Sequence, residues 1–332
     1  MRKNNWLVPL AFLVAGALLV FITQRVFNDY VLVIIDFIFL YIILAVSLNI
    51  TNGYAGLFSL GHPAFMTIGG YIAALLIMPV TRKAVFLPNL PGWFSAQQWP
   101  LLPAVLTGGS LAALLAIIIG LPVLRLRGHY LAVATLGFII IIQVLIRNLE
   151  ELTRGPLGLN GLLPLTTMWW IYLWLVITVY VAWKIKFSSL GRTLFAIRDD
   201  ELAAESLGIP LLRTKIVAFV VGAFFAGVAG GLWTHLVTVI TPNSFSILLS
   251  FNLVVIIVVG GNGSITGSVL SAALMTVLVE VLRPIEERSG LYGISQIIFA
   301  VSLLFVLVLR PKGFFGRDEP GFMLARRKAP GL

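Results

Sequence analysis

Residues 30–50 read YVLVIIDFIFLYIILAVSLNI, and this stretch decides the class of fold. As a helix it would extend about 31 Å, close to the ~30 Å thickness of a bilayer's hydrocarbon core. Its only charged residue is Asp36. An apolar run of this length predicts a transmembrane helix rather than a helix inside a soluble domain.

The composition of the whole chain extends this conclusion. Of its 332 residues, 59% are hydrophobic and 11% are charged, against roughly 45–50% and about 25% in soluble domains. Such a chain cannot cover a globular surface with polar side chains, which excludes a typical soluble enzyme. Ten crossings at about 20 residues each would use most of the chain, so no separate soluble domain fits. The absence of cysteine excludes disulfides and thiolate chemistry.

The apolar stretches predict an all-α polytopic membrane protein with about ten transmembrane helices, some of them interrupted. The predicted crossings lie near residues 6–23, 30–50, 54–79, 101–124, 130–148, 168–187, 216–239, 247–260, 267–283 and 291–309. The first stretch also resembles a cleavable signal peptide, because Arg2 and Lys3 precede it and Ala15-Gly16-Ala17 lies within it. Its apolar character continues through Ile22, which favours a membrane span.

The basic residues indicate the orientation. With a cytoplasmic N-terminus, 16 of the 23 Lys and Arg residues fall on the inner side. The positive-inside rule therefore favours ten spans with both termini in the cytoplasm. On this interpretation the net charge of +10 reflects topology and not nucleic-acid binding.

Two stretches carry too many helix breakers for continuous helices. Thr51-Asn52-Gly53 is followed by GLFSLGHP at 56–63, and GGNGSITG occupies 260–267. Pro63 suits the first turn of a new helix, and the 16 residues from Pro63 to Met78 are too few to cross the bilayer. Discontinuous membrane helices are typical of transport pathways. The alternative is that both breaks are loops at the cytoplasmic surface.

Polar residues in and near these breaks are candidates for a translocation path. Exposed backbone groups there could serve a zwitterion without a fixed charge. Asp36, inside an apolar helix, is a functional candidate by default, with a structural ion pair or helix contact as the alternative. The candidate path residues are Ser59, His62, Asn252, Asn262, Ser264 and Asp36.

The seventh crossing carries small residues every four positions, at Gly222, Ala226 and Gly230. Small residues at this spacing allow close approach of another helix in a bilayer. They predict packing within this subunit or, alternatively, contact with a second permease subunit.

Residues 187–215 form the one long loop predicted on the cytoplasmic side. Ser188 or Ser189 can cap a first short helix and Asp199 a second, and Gly208 and Pro210 end the latter. Short capped helices could transmit a push between a soluble partner and the membrane helices. The alternative is a solvated charged hairpin.

Several motifs carry a family resemblance. Ala203-Ala204-x-x-x-Gly208 is similar to the E-A-A-x-x-x-G loop of ABC-importer permeases, although the acid, Glu201, stands one position early. The stretches 48–62, 124–132, 191–199 and 310–316 resemble the longer permease type of the branched-chain amino acid ABC permease family.

The resemblance implies a single permease domain, residues 1–316, with a short cytoplasmic coupling helix. It implies four kinds of partner: ATPase subunits, a second permease subunit, an external substrate-binding protein and the prokaryotic inner (plasma) membrane. ATP and Mg would bind to the ATPase subunits and no cofactor to this chain, which is not itself an enzyme. The residues that it places in the ATPase-docking loop are Gly191, Arg192, Arg198, Asp199, Glu201, Ala203, Ala204 and Gly208.

Some alternatives stay open at this point. Permeases for urea and short amides look alike, so the substrate class is open among neutral amino acids and these compounds. An ion-coupled secondary transporter of small polar solutes would need protonatable groups in its path, and the chain offers chiefly Asp36. Residues 317–332 are expected to form a solvated basic cytoplasmic tail.

Overall fold

The computed structural model describes residues 7–126, 128–290, 293–310, 313–316 and 319, with side chains from residue 16 onward except at 93 and 307. Across these residues the chain is almost entirely helical. In chain order the α-helices are α1 (Leu7–Val26), α2 (Asp29–Leu48), α3 (His62–Ile77), α4 (Val80–Phe86), α5 (Gly92–Ser95), α6 (Leu101–Val123), α7 (His129–Asn148), α8 (Glu150–Thr153), α9 (Met168–Lys186), α10 (Ser189–Asp199), α11 (Glu201–Ser206), α12 (Leu211–Val237), α13 (Ile247–Gly260), α14 (Ile265–Ser289) and α15 (Ile294–Leu309).

Four further elements complete the described chain. A π-helical segment, Asn49–Tyr54, continues α2, and a 3₁₀ turn occupies Gly155–Leu157. Two short strands, β1 (Leu159–Asn160) and β2 (Val239–Ile240), pair antiparallel. This pairing ties the connection before α9 to the end of α12.

Six helices in the described part of the chain are long and apolar enough to cross a membrane. They are α2 with its π-helical extension, α6, α7, α9, α12 and α14. The pair α3 and α4, bent by 114°, would make a seventh, and α13 and α15 are shorter. The protein is therefore an all-α, multi-pass membrane protein. A helix occupies each of the ten predicted stretches, although residues 6, 291 and 292 lie outside the described residues.

Among the described helices, α3, α6 and α12 make the most extensive contacts with one another. A Cβ at Gly69 would lie 2.1 Å from the Gly227 carbonyl oxygen, and one at Gly230 would lie 2.1 Å from that of Met66. Gly108 of α6 approaches Gly69 in the same way. The small residues of α12 thus pack within this chain, which confirms the first of the two interpretations.

Several other long helices pack against α2. It packs against α9, α12, α13 and α14, and α13 pairs with α14. The Asn28 side chain caps α2 by accepting a hydrogen bond from the Val31 N–H at 3.2 Å. As predicted, Pro63 lies in the first turn of α3, which is 16 residues long.

Candidate functional site

Two short helices form the predicted docking loop. The Ser188 hydroxyl caps α10 by accepting from the Gly191 N–H at 3.2 Å. Asp200, and not Asp199 as expected, caps α11: its carboxylate accepts from the N–H groups of Leu202 and Ala203 at 2.9 and 3.1 Å. Asp199 is instead the last residue of α10. The loop therefore holds two helices joined at a single residue.

Gly208 ends α11 in the predicted way. Its φ of +79° lies in the left-handed region, and its N–H donates to the Glu205 carbonyl at 2.9 Å. The next N–H, that of Ile209, reaches back to the Ala204 carbonyl at 3.1 Å. This is a Schellman motif, which favours glycine because of the positive φ.

One face of α10 is buried against the membrane helices. Gly191, Leu194 and Ile197 lie on it at three-residue spacing. A Cβ at Gly191 would lie 2.2 Å from the Ile185 carbonyl oxygen. Only glycine lets α10 pack this closely on the end of α9, so the position of α10 is fixed relative to α9.

The two helix breaks meet each other beneath α10. The amide of Asn49, at the start of the π-helical segment that leads into the first break, spans the contact. Its Oδ1 accepts from the Gly263 N–H at 2.8 Å, and its Nδ2 donates to the Ser264 carbonyl and the Ser268 hydroxyl at 2.8 Å each. Asn49, Gly263 and Ser264 are buried. These parts of the breaks are therefore packed inside the protein and are not surface loops.

Arg198 connects α10 to both breaks. Its Nη1 donates to the Gly53 carbonyl in the first break and, at 3.1 Å, to the Asn262 carbonyl in the second. The ring of Phe195, on the same helix, lies 5.4 Å from that of the buried Tyr54. A movement of α10 would consequently reach both breaks at once.

The candidate path residues of the first break are also buried. Ser59 is held by Asn52, whose amide accepts from its N–H at 3.1 Å and donates to its carbonyl at 2.9 Å. His62 contacts the Ser47 hydroxyl through Nε2 at 3.3 Å, and its Nδ1 has no hydrogen-bond partner among the described residues.

Many backbone N–H and carbonyl groups of the two breaks form hydrogen bonds to other groups of the chain. The Leu60 N–H donates to the Thr135 hydroxyl at 3.0 Å, and the Leu60 carbonyl accepts from Ser250 at 2.5 Å. These groups are therefore already hydrogen-bonded in this structure, contrary to the expectation that they are exposed to a zwitterion.

The remaining candidates lie apart from the breaks. Asn252 is half-buried and lines a cavity of about 210 Å³ between α2, α12 and α13. Phe37, Tyr41 and Trp233 line the same cavity. Asp36 is buried, and its Oδ1 has no hydrogen-bond partner in the part of the chain that the structure describes. The structure thus brings Asn262 and Ser264 to one junction, while Asn252 and Asp36 lie elsewhere.

The other docking-loop residues divide between internal contacts and the surface. Glu201 pairs with the buried Lys215 at 2.6 Å, and Ala204 is buried. Arg192, Asp199, Ala203 and Gly208 are exposed. The sequence reasoning missed Leu202 and Leu207, which are 65% and 80% exposed in an otherwise polar segment.

One residue of the expected solvated tail is not solvated. Most of residues 317–332 lie outside the described residues, but Glu319 is described and its side chain is only 2% exposed. Its carboxylate accepts from the Ile265 and Thr266 N–H groups at 2.8 and 3.2 Å, at the start of α14. The expectation was wrong for this residue because the helix N-terminus offers unsatisfied donors.

The groups around Glu319 lower the pKa of its carboxyl group. Burial by itself would raise the pKa of this carboxyl, but the hydrogen bonds from Lys186 and Thr266 and the charge of Lys186 outweigh it. The pKa of Glu319 consequently lies below its ordinary value of 4.5, and the group is ionised at neutral pH.

The arrangement links the surface of the molecule to its interior. Among the described residues, no group of three or more His, Asp, Glu or Cys side chains could hold a metal ion. What the geometry provides is a surface helix pair attached to two helix breaks by buried polar contacts. Such an arrangement can convert a push at the surface into a movement of membrane helices.

Comparison with known proteins identifies the family. A family model for the permease component of branched-chain amino acid transport systems matches residues 30–309. The LivM permease protein of the high-affinity branched-chain amino acid transport system of Escherichia coli K12 is 31% identical over 327 residues, which cover 88% of this chain and 71% of that protein.

Two more distant relatives are also permease proteins of branched-chain amino acid transport. The probable LivM permease of Methanocaldococcus jannaschii is 23% identical, with 82% of this chain and 90% of that protein covered. The LivH permease of E. coli K12 is 24% identical, with 84% and 92% covered. No solved structure matches the chain. With the family model covering most of its length, the chain belongs to the family of permease components of branched-chain amino acid transport systems.

Proposed function

We propose that this chain is the transmembrane subunit of an ABC importer for branched-chain or related neutral amino acids. It works with two ATPase subunits, a second permease subunit and an external binding protein. ATP and Mg bind to the ATPase subunits. The observation that carries the proposal is the attachment of α10 to both helix breaks through Arg198.

The proposed topology has ten crossings in a prokaryotic inner membrane, with both termini in the cytoplasm. Helices at all ten apolar stretches and the distribution of Lys and Arg support it. In this orientation α10 and α11 lie on the cytoplasmic side, where an ATPase subunit can reach them.

The docking surface is the exposed side of α11 and the turn that follows it. Leu202 and Leu207 project from a segment that also carries Glu205 and Ser206. Exposed leucines outside the lipid-facing surface favour contact with another protein. The Glu201–Lys215 ion pair fixes α11 to the N-terminal part of α12, so the docking surface is held in place.

The translocation path is proposed to run beside the junction of the two breaks. In this structure the polar groups of the junction bond to one another, so opening the path requires that they separate. An ATPase subunit that pulls α10 would act on the Gly53 and Asn262 carbonyls through Arg198. ATP binding and hydrolysis would thereby drive alternating access.

The substrate assignment rests on the family and on the composition of the protein interior. The described interior is mainly aliphatic and aromatic, with few charges. A lining of this kind suits compact neutral side chains, because a charged side chain without a partner costs several kcal/mol to bury. Selection among neutral amino acids would then lie with the external binding protein.

The docking proposal is tested by substitution of the exposed leucines. We expect L202E/L207E to abolish co-purification of the ATPase subunits, because two carboxylates would replace the apolar contact, without lowering the yield of folded permease. The matched control is L157E, since Leu157 is also 65% exposed but lies in the 3₁₀ turn before β1. Retention of the ATPase subunits by L202E/L207E would overturn the proposal.

A further inference from the structure

The Glu319 carboxylate lies among five hydrogen-bond donors. Lys186 Nζ approaches it at 2.5 Å, and the Thr266 hydroxyl donates to it at 2.5 Å. The Ile265 and Thr266 N–H groups contribute at 2.8 and 3.2 Å, and the Ser264 hydroxyl at 3.4 Å. Lys186 and Glu319 are both almost fully buried, with side-chain exposures of 7% and 2%.

The lysine of this pair also contacts the second break directly. Lys186 Nζ donates to the Gly263 carbonyl at 2.7 Å, while the Gly263 N–H donates to Asn49. A single ammonium group therefore joins the end of α9, the second break and the C-terminal part of the chain.

The same lysine is closely connected to the docking helix. Lys186 is the last residue of α9, and Ser189 is the first of α10. A Cβ at Gly191 would lie 2.4 Å from the Lys186 carbonyl oxygen. Any displacement of α10 must consequently move the backbone of Lys186.

Attachment of the C-terminal segment does not by itself require this ion pair. Residues 313–316 are already bonded to the end of α13, since the Phe314 and Phe315 N–H groups donate to the Val259 and Gly260 carbonyls at 3.0 and 3.2 Å. The ion pair adds a different connection, which runs from the α9–α10 junction to the first turn of α14.

We infer that Lys186 and Glu319 are positioning residues that transmit movement of α10 to the second break. In this role Glu319 holds the Lys186 ammonium group between the Gly263 carbonyl and the start of α14. Arg198 acts on the Asn262 carbonyl, so two neighbouring carbonyls of the break are held by two cations from the α9–α10 region. The inference rests on the proposed docking of α10 and α11 to an ATPase subunit.

The test compares uptake per ATP hydrolysed in the complete importer reconstituted in vesicles. We expect E319Q and K186M each to lower this ratio by about fivefold or more, the lower range of typical coupling between sites. Removal of one partner leaves the other buried without compensation, so the break is no longer fixed to α10. T266V, which removes one donor and keeps the side-chain shape, should have a smaller effect, and K186R should restore part of the ratio.

A matched control is available two residues before Lys186 in the same helix. Lys184 is exposed at the end of the same helix and lies over the Tyr180 ring at 5.5 Å. K184M should leave uptake per ATP unchanged. All ratios are measured on assembled complexes, so that a variant with less folded protein does not resemble an uncoupled one.

Two results would overturn the inference while the docking proposal stands. One is an unchanged ratio in assembled K186M and E319Q complexes. The other is a loss of assembled complex with a normal ratio in what remains, since that would make the pair a structural anchor only. Failure of the docking proposal itself is distinguishable, because it would appear as retention of the ATPase subunits by L202E/L207E.

Discussion

Asn49 and Gly263, which are 214 residues apart in the chain, are joined by a hydrogen bond of 2.8 Å from the Gly263 N–H to the Asn49 Oδ1. Asn49 begins the π-helical segment that leads into the first helix break, and Gly263 lies in the second. The same amide uses its two N–H groups on Ser264 and Ser268, so each of its hydrogen-bonding atoms has a partner. This one side chain therefore holds the two breaks in register.

Asn49→Asp should be strongly destabilising. The carboxylate keeps the shape of the amide but loses both donors and places a buried charge against the Ser264 carbonyl. We expect a loss of about 3 kcal/mol or more in the free energy of unfolding, measured as a lower thermal midpoint of the purified protein. Asn148→Asp is the control, because Asn148 is exposed and bonds only within its own helix. An equal effect of the two substitutions would contradict the role of Asn49.

Arg198→Met should lower uptake per ATP hydrolysed several-fold while the ATPase subunits remain bound. The methionine side chain keeps the aliphatic stem but cannot donate to the Gly53 and Asn262 carbonyls. Arg198→Lys should retain only part of the coupling, since a single ammonium group cannot reproduce the geometry of the guanidinium. Arg213→Met, at an exposed position at the start of α12, serves as the control. Normal coupling in Arg198→Met would show that α10 acts through other contacts.

Gly208→Val should impair coupling through the backbone alone. No atom lies within 4 Å of a Cβ placed at Gly208, so its φ of +79° is the only obstacle. A non-glycine residue in this conformation costs about 1–2 kcal/mol, and a β-branched one costs more. Gly92→Val provides the comparison, because Gly92 has equal space and no positive φ. Uptake per ATP in reconstituted vesicles is the measurement, and equal values for the two variants would refute the prediction.

Gly69→Ala and Gly230→Ala should each reduce stability by at least about 1–3 kcal/mol, the usual cost of overpacking. The added methyl group would meet a backbone carbonyl 2.1 Å away, and backbone cannot rotate aside. Gly137→Ala, in α7, has no atom within 4 Å and should instead be neutral or stabilising by about 0.5–1 kcal/mol. The measurement is the thermal unfolding midpoint of each of the three variants in the same detergent. An equal change of the midpoint in all three would contradict the prediction.

The stability that Glu319 contributes should disappear in acid. Because its pKa is lower in the folded protein than its ordinary value of 4.5, this contribution is complete above pH 4.5 and is lost as the pH falls through the folded pKa. The thermal midpoints of the natural protein and E319Q should therefore differ at neutral pH and converge below pH 4.5. A difference that stays constant through this range would show that protonation of Glu319 is not involved.

Local sequence patterns were sufficient for most of the helices. Apolar run length placed helices at all ten stretches, and the Ser188, Pro63 and Gly208 signals gave correct helix ends. The position of the second cap was wrong by one residue, since Asp199 and Asp200 are chemically equivalent candidates. Only the extended backbone of Asp200 (φ −157°, ψ 112°) decides between them.

The contacts of the candidate site were harder to predict. Arg198 was identified from the docking motif, but the sequence does not show that its partners are carbonyls 64 and 145 residues away. Glu319 stands in a basic, Pro- and Gly-rich tail where no periodicity marks it as buried. Such long-range polar pairings depend on the final packing and leave no local pattern in the sequence.

The glycine contacts of α3, α6 and α12 have a consequence for how the subunit can move. Where backbone lies directly on backbone, there are no side chains whose rotamers could change to absorb sliding. We therefore expect these three helices to move as one rigid block. Any bending of the subunit must then occur outside this block of three helices.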